Sequence, residues 1–553
     1  MIQDDEHDVM SAEPQGIEAG HGWGVDDDLG PRRLLIVIGV VCLAFVAISL
    51  PALFVRSPLG HDESVYALRA SNLLDGWTFR SGNYWRDYRA PGLPIMLSLV
   101  ARVTEVSVTL FRLVVVALGA MTLASTIAVG KMLRGWTVGV GAALGMMLTS
   151  GLLLASTTLL ADVPGAAFAM LAIAAYVHDV GQGRLRWSFV IVPLACLAST
   201  LSRFGAPFML GAGLLATAVV YAPEIIARRD VRLTVQSAVL AMIVGGVVAV
   251  VVLTDTFTLD GTSPATANAD LVSGNGFTFS TGIADLWKVI NPWSGHVFLL
   301  WSRWVAILFL VGVVAALISI VFDRSRARVV VFGLLAGLVS TFAIVITVGL
   351  VVPNYLALTL PFWALTAATG WDAILRAVAQ IDTRAVRNGL LGLAGVVLTL
   401  LLVSSAQKVK EGHEGYLDAY ANIRTASAYT GDQLGDDCQL IARYTPQAGF
   451  YSGCEIFPFT RVSPDDPAND LASSAAAITE DGSYGSEIES GGLAVMYVER
   501  TIRQPELADA IALEDLYIER LIELGEPGVR RQHVIVEVVA PCVADFTCPS
   551  IDR

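Results

Sequence analysis

Charge is what this chain has least of. Asp, Glu, Lys and Arg make up only 16% of its 553 residues, while 54% are hydrophobic. An ordinary soluble domain carries roughly 25% charged residues. The shortage excludes a disordered chain and a cytoplasmic soluble enzyme. Basic residues are the scarcer sign, 36 Lys and Arg against 50 Asp and Glu, for a net charge of -14. Nothing in that balance supports nucleic-acid binding. The first thirty residues hold nine acids and no Lys or Arg at all. A cleaved secretory signal needs a basic start and a cleavage site, so 1–30 reads as an acidic, disordered cytoplasmic tail. Cysteine is sparse too, six in the whole chain, which excludes a disulfide-stapled mini-protein. Residues 406–553 contain no Gly-rich nucleotide loop.

What is abundant is apolar sequence in runs of membrane-spanning length, about 17–25 residues. Arg32 and Arg33 precede the run 34–54, which reads as an uncleaved first span entering from the cytoplasm. Further spans are expected at 112–130, 137–157, 163–177, 187–202, 204–222, 234–254, 295–321, 329–350, 353–370 and 388–405, eleven in all. The charges test that count. Alternate gaps carry Lys131 and Arg134; Arg184 and Arg186; Arg228, Arg229 and Arg232; Arg324, Arg326 and Arg328; and Arg376, Arg384 and Arg387. The gap 255–294, on the other side, holds Asp255, Asp260, Asp270 and Asp285 against Lys288. This is the bias of the positive-inside rule, and it places the tail from 406 onward outside.

Two outside pieces remain. Segment 55–111 begins with a helical pattern over 65–74 and continues through a Tyr-, Trp- and Arg-rich stretch at 80–90. The apolar stretch 91–107 is broken by Pro94, Arg102 and Glu105 and suits a helix lying along the membrane surface. Segment 406–553 is long enough for one small domain. A helix is expected over 417–435, strands at 440–444, around Phe450 and Tyr451, at 493–498 and at 533–539, and an amphipathic helix over 506–524. That alternation suggests a small extracytoplasmic α/β domain. Cys438, Cys454, Cys542 and Cys548 all lie in it. Three pairings are possible; Cys438–Cys454 with Cys542–Cys548 is the expectation, with four free thiols as the alternative. Gly141 and Gly145 are expected to allow close helix packing.

The chemistry gathers on the outside. His61, Asp62 and Glu63 follow the first span, and Asp162 stands at the outside end of the third. An acid inside the apolar stretch 146–177 is costly unless it is paired or faces a wet cavity. Arg69, Arg80, Arg86, Arg89, Arg102 and Arg203 lie on the same side, against the positive-inside bias, which implies acidic partners or ligands. A carboxylate can accept a proton from a hydroxyl attacking an activated carbon. Arginines can bind a phosphate leaving group and offset its charge. Asp62 is the candidate base; Arg86, Arg89 and Arg203 are the phosphate-binding candidates. Asp162 and Glu63 are candidates to orient the base or to bind a hydroxyl or a divalent ion. Tyr84 and Trp85 suit either an interfacial aromatic belt or stacking on a sugar ring.

The motifs AspGluSerValTyrAla at 62–67, TyrArgAlaProGlyLeuPro at 88–94, AlaAspValProGlyAlaAlaPhe at 161–168 and AsnTyrLeuAlaLeuThrLeuPro at 354–361 come in a telling order. In order and sidedness the chain resembles the GT-C class of polytopic glycosyltransferases that use polyprenyl-phosphate sugars, nearest the protein O-mannosyltransferase and aminoarabinose-transferase superfamily. Two positions depart from that pattern: Asn354 stands where a basic residue is common, and Pro91-Gly92 where two prolines are usual. The resemblance implies a GT-C-like all-α membrane fold over 31–405, a lipid-linked donor, inversion at the anomeric carbon, and Asp62 as the catalytic position. It also implies that Tyr66, Tyr84, Trp85, Tyr88, Asn354 and Tyr355 line the substrate site, and that the outside domain helps bind acceptor. Some members bind a divalent ion near the phosphate, for which His61 is one candidate ligand. The competing class is a transporter or flippase; its signature of repeated halves and midplane charges is not evident.

Overall fold

The computed structural model describes residues 30–76, 89–104, 106–254, 265–266, 278–294, 300–348, 351–434, 438–442, 445–458, 493–498, 516–524 and 534–541. The apolar runs fold as helices: α1 (Pro31–Phe54), α4 (Val108–Leu133), α5 (Trp136–Met147), α6 (Ser150–Thr157), α7 (Asp162–Gly181), α8 (Ser188–Ser202), α9 (Ala206–Ala227), α10 (Val231–Leu253), α12 (Arg303–Phe322), α13 (Ala327–Val348), α14 (Leu360–Ala379) and α15 (Arg384–Leu434). Two helices, α2 (His61–Gly76) and α3 (Gly92–Ala101), fill the loop after α1, and α11 (Phe279–Ile290) precedes α12. A 3-10 turn, Tyr355–Leu358, precedes α14.

The surface shows why this bundle belongs in lipid. On α12 the inner face is Val305, Phe309, Gly312, Ala316 and Ser319, at helical spacing. Its other face exposes Trp304, Ile307, Val311, Val314, Ile318 and Val321. A helix apolar all round, yet half uncovered by protein, is stable where hydrocarbon covers the rest. The protein is a multi-pass membrane protein on this count. Eight helices among the described residues are long and apolar enough to cross a membrane, or nine with the bent pair α5–α6. The other two expected spans do form helices, but α8 has only 15 residues. The last, α14, carries Asp372 and Arg376 and buries most of its length against its neighbours.

The expected span 137–157 is not one helix. It bends by 73° between α5 and α6. Broken backbone inside a membrane protein needs new partners for its freed groups. Here the Gly151 N–H donates to Leu300 O at 2.9 Å, and Ser405 Oγ donates to Leu148 O at 2.7 Å. Of the two expected packing glycines, Gly141 is close to its neighbour, a Cβ there standing 3.3 Å from Ala368 Cβ, whereas the neighbours of Gly145 lie at ordinary distances. Tighter crossings are α4 on α5, where a Cβ at Gly139 would clash with Ile127 O, and α12 on α14, where one at Gly370 would clash with Gly312 O.

Past the bundle, α15 continues for 51 residues in all. The segment beyond it contributes α16 (Thr445–Ser452) and strands β1 (Gln439–Ala442), β2 (Glu455–Pro458), β3 (Leu493–Val498), β4 (Leu516–Leu524) and β5 (Val534–Pro541). They form one sheet in the order β2-β1-β3-β5-β4, parallel at β2-β1-β3 and antiparallel at β3-β5-β4. Two expectations are corrected. Phe450 and Tyr451 lie in helix α16, and 516–524 is strand β4 where a helix was expected. Cys438 and Cys454 form a disulfide that ties the start of β1 to the residue before β2. Cys542 and Cys548 lie outside the described residues.

Candidate active site

Asp62 and Glu63 are neighbours in sequence with opposite surroundings. Gly60 caps α2: its carbonyl accepts from Ser64 N–H at 3.0 Å, and its own N–H donates to Glu63 Oε2 at 2.8 Å. Acids in the first turn of a helix also suit its dipole. Arg112, near the start of α4, then grips Glu63 with two parallel bonds, Nε to Oε1 and Nη2 to Oε2, each 3.0 Å. The Leu159 N–H adds a fourth bond, to Oε1 at 2.9 Å. Arg112 spends its remaining donors on Ser57 O and Oγ, both at 3.0 Å, and on Pro58 O at 3.3 Å. Both partners are almost wholly buried, with side chains 2% and 3% exposed. Burial alone would raise the Glu63 pKa, but Arg112 and the two backbone N–H groups overcome it and hold the carboxyl below its ordinary value. With both oxygens doubly bonded, Glu63 has nothing left to offer a substrate.

Asp62 points the other way. Its side chain is 52% exposed and meets Arg89 Nη2 at 2.8 Å. Desolvation opposes its charge, yet Arg89, assisted by His61 and Arg203, keeps the carboxyl below the usual range. Arg89 immediately precedes the turn into α3. Its carbonyl accepts from the buried Arg69 Nη1 at 2.9 Å, and its guanidinium lies 5.8 Å from the Tyr66 ring centre. Tyr66 is buried beneath the group; desolvation first, with the two acids, outweighs the arginines and raises its hydroxyl pKa. Tyr66 feels all four charges, Arg89 most, then Arg203, Asp62 and Asp162.

Asp162 opens α7 and is buried. Arg203 Nε meets its Oδ1 at 3.1 Å, and Asn354 Nδ2 donates to its Oδ2 at 2.8 Å. Arg203 caps the C-terminal end of α8 and lies 4.6 Å over the Tyr355 ring. Burial disfavours the Arg203 charge, but Asp162 and Tyr355 outweigh it and raise the pKa, so the guanidinium stays charged. Gly92 lets this corner close: a Cβ there would stand 2.7 Å from the Leu201 carbonyl carbon. The departure from a Pro-Pro pattern therefore has a steric reason in this chain. Asn354, the other departure, serves Asp162 directly.

The structure thus brings together Asp62, Glu63, Asp162, Arg89, Arg203, Tyr66, Asn354 and Tyr355, which the sequence scatters over 293 positions between 62 and 355. Tyr84, Trp85, Arg86 and Tyr88 lie outside the described residues. His61 stands beside Asp62 at the start of α2; desolvation and the Arg89 charge lower its pKa, which leaves it neutral near pH 7. Among the described residues no three His, Cys, Asp or Glu side chains converge as a metal-ligand set, and Asp62 beside His61 is already paired to Arg89. Among the described residues the donors do not compose a metal cradle.

Arg112 and Ser57 were missed by sequence reasoning, which named Arg69 only among the outside arginines. The signal existed for Arg112: it is an arginine inside the outside end of an apolar run, the same anomaly that drew attention to Asp162 and Arg203.

No protein-family model matches the chain, and no curated protein matches it. Solved structures do. ArnT from Cupriavidus metallidurans bound to undecaprenyl phosphate aligns with a TM-score of 0.57 at 12% identity, over 94% of this chain and 100% of that one. Its apo state aligns at 0.53 and 13% identity, over 90% and 97%. The archaeal oligosaccharyltransferase AglB from Archaeoglobus fulgidus, in complex with an inhibitory peptide and a dolichol-phosphate, aligns at 0.53 and 12%, over 88% and 73%. At these identities the likeness is one of fold. The chain has the GT-C fold that its motifs resemble.

Proposed function

We propose that this protein is an inverting membrane glycosyltransferase. It moves a hexosyl or pentosyl group from a polyprenyl-phosphate-linked donor to a hydroxyl acceptor at the extracytoplasmic face, in cell-envelope glycan assembly or protein glycosylation. One observation carries the reading. Of the three clustered carboxylates, Asp62 alone is open, and it lies among Arg89, Arg203 and Tyr66. The prenyl phosphates bound in two similar structures support the donor class. The topology that suits the reaction has eleven spans, a cytoplasmic N-terminus and residues 406–553 outside.

The chemistry runs as a single displacement. The acceptor hydroxyl gives its proton to Asp62 as its oxygen bonds to the anomeric carbon. The bond from that carbon to the phosphate oxygen breaks, and the electron pair leaves with the polyprenyl phosphate. Arg89 and Arg203, with Arg86 as a further candidate, hold that phosphate and offset its charge. Arg89 ties the two halves of the reaction. In the free protein it depresses Asp62; when donor phosphate draws Arg89 away, Asp62 becomes a stronger base. Tyr66, Asn354 and Tyr355 line the pocket wall, joined by Tyr84, Trp85 and Tyr88. Glu63 and Asp162 orient.

The test is transfer by full-length protein in lipid nanodiscs, from a panel of polyprenyl-phosphate sugars to hydroxyl acceptors, read as release of polyprenyl phosphate. Transfer from at least one donor, abolished in Asp62→Asn, is expected. Binding of the lipid without transfer to any acceptor, with solute or lipid movement across the bilayer, would replace this reading by a transporter.

A further inference from the structure

Residues 56–60 form a short strap between α1 and α2, ending two residues before Asp62. Residues more than 350 positions further along the chain hold it. Arg424 Nη1 donates to Arg56 O at 3.3 Å. His413 Nδ1 lies 2.7 Å from Ser57 Oγ. The Leu59 N–H donates to Tyr451 Oη at 2.8 Å. A Cβ at Gly60 would stand 3.2 Å from the Tyr416 ring. The gripping residues come from α15 and α16, the helices that lead from the bundle into the sheet.

The seam of α15 explains the grip. Val409, His413, Tyr416, Tyr420, Ile423, Ser427 and Thr430 recur every three or four residues and are buried or half-buried. His413, at 0% exposure, occupies a place where Leu would bury comparable apolar area. What an imidazole adds is its two nitrogens. Nδ1 faces Ser57, which also receives Arg112, and Nε2 lies 3.0 Å from Thr157 Oγ1, two residues before the Leu159 N–H that binds Glu63. His413 therefore braces both walls of the Glu63–Arg112 cage, from which the neighbouring Asp62 projects.

We propose that α15 and α16 clamp the 56–60 strap, and that His413 and Tyr451 are positioning residues for Asp62. The C-terminal segment then sets the geometry of the reaction, beyond any part in acceptor binding. The proposal rests on Asp62 being the base. A displacement of about 1 Å at a reacting group can cost ~10²-fold in rate, so a loosened strap is read in turnover and not in donor affinity.

The experiment uses full-length protein in nanodiscs and three variants: Tyr451→Phe, which removes one hydroxyl, His413→Ala, and His413→Asn, which keeps a donor and an acceptor. Amide hydrogen exchange is followed on a peptide covering 55–64, with one from α12 as internal reference. In Tyr451→Phe, exchange over the strap should rise about tenfold, the scale of one net hydrogen bond, with α12 unchanged. Single-turnover transfer should fall roughly 10–100-fold with donor affinity retained, and His413→Asn should recover part of the loss seen in His413→Ala. Unchanged strap exchange in Tyr451→Phe overturns the clamp, even if His413→Ala does not fold. So does a loosened strap with wild-type turnover. If the wild type transfers sugar from no prenyl-linked donor, the exchange arm still decides the clamp and the failure belongs to the reading of function.

Discussion

At the scale of single residues, Asp62 and Glu63 differ in what is left over after hydrogen bonding. Asp62→Asn keeps the shape and removes proton acceptance. Single-turnover transfer should fall about 10²–10⁴-fold. Donor affinity should hold or improve, because Arg89 loses its competing partner; a weaker donor titration curve would count against the assignment. Glu63→Gln should behave in the opposite way. Removing one member of a buried, fully bonded pair costs about 3–5 kcal/mol, so the thermal midpoint should drop where that of Asp62→Asn does not. Pairing it with Arg112→Gln should cost less than the sum of the two, measurable as a double-mutant cycle.

Titration follows from the same contacts. Glu63 has a folded pKa below its ordinary 4.5. Its contribution to stability is therefore full above that value and is lost as pH falls through the lower folded one. Glu63→Gln should flatten the acid side of the stability curve; an unchanged curve would contradict the cage. For Asp62, Arg89 depresses the free protein's carboxyl, and donor phosphate competes for Arg89. The acid limb of kcat should then lie at higher pH than that of kcat/KM. Coincident limbs would mean that Arg89 does not leave Asp62.

At the scale of elements, α11 is the most informative. Val289 and Gly282 pack inward, and Leu286 and Ile290 pack on a cluster that includes Leu356, in the turn beside Asn354 and Tyr355. Phe279, Ile283 and Trp287 stay exposed on the adjoining strip. Ser280, Thr281 and Lys288 complete the polar side. A helix with one face on protein, one apolar strip free and one polar face suits the lipid–water boundary. A variant retaining Trp287 as its sole tryptophan should be quenched by lipids brominated near the headgroup end of the chains more strongly than by those brominated at the chain ends. The reverse order would place α11 at mid-membrane.

Elements also show where local pattern is ambiguous. In 516–524, Ile518, Leu521 and Ile522 fit a helical stripe, yet pairing with β5, with an irregularity at Ile518/Arg520, makes a strand. The Thr445-Pro446 start of α16 was the available signal against a strand at Phe450 and Tyr451.

At the scale of the whole molecule, α4 runs from Arg112 beside Glu63 to Arg134 at the opposite end of the bundle. There Arg134 and Arg326 meet Asp323 at 2.7 and 3.0 Å, and Arg376 meets Asp372 at 3.0 Å. Residues of three of the five arginine-rich gaps thus meet at the end of α4 away from the acidic motif, which suits the charge bias expected of an outside site. Cysteine labelling with a membrane-impermeant reagent should modify Glu411→Cys from the outside and Ser325→Cys only from the cytoplasm. Inverse labelling would turn the protein over.

The sequence by itself determined the membrane class, the run of apolar helices, the order of the motifs, and the identity of most residues around Asp62. Those properties are written in composition, period and charge along the chain. Tertiary structure alone decided which carboxylate is open. Glu63 is closed by Arg112 and Leu159, 49 and 96 positions away, Asp162 is tied by Asn354 across 192, and the strap before Asp62 is held by Tyr451 across 392. Hydrogen-bond capacity is used up by whatever arrives in space, and no local pattern in a sequence records who arrives.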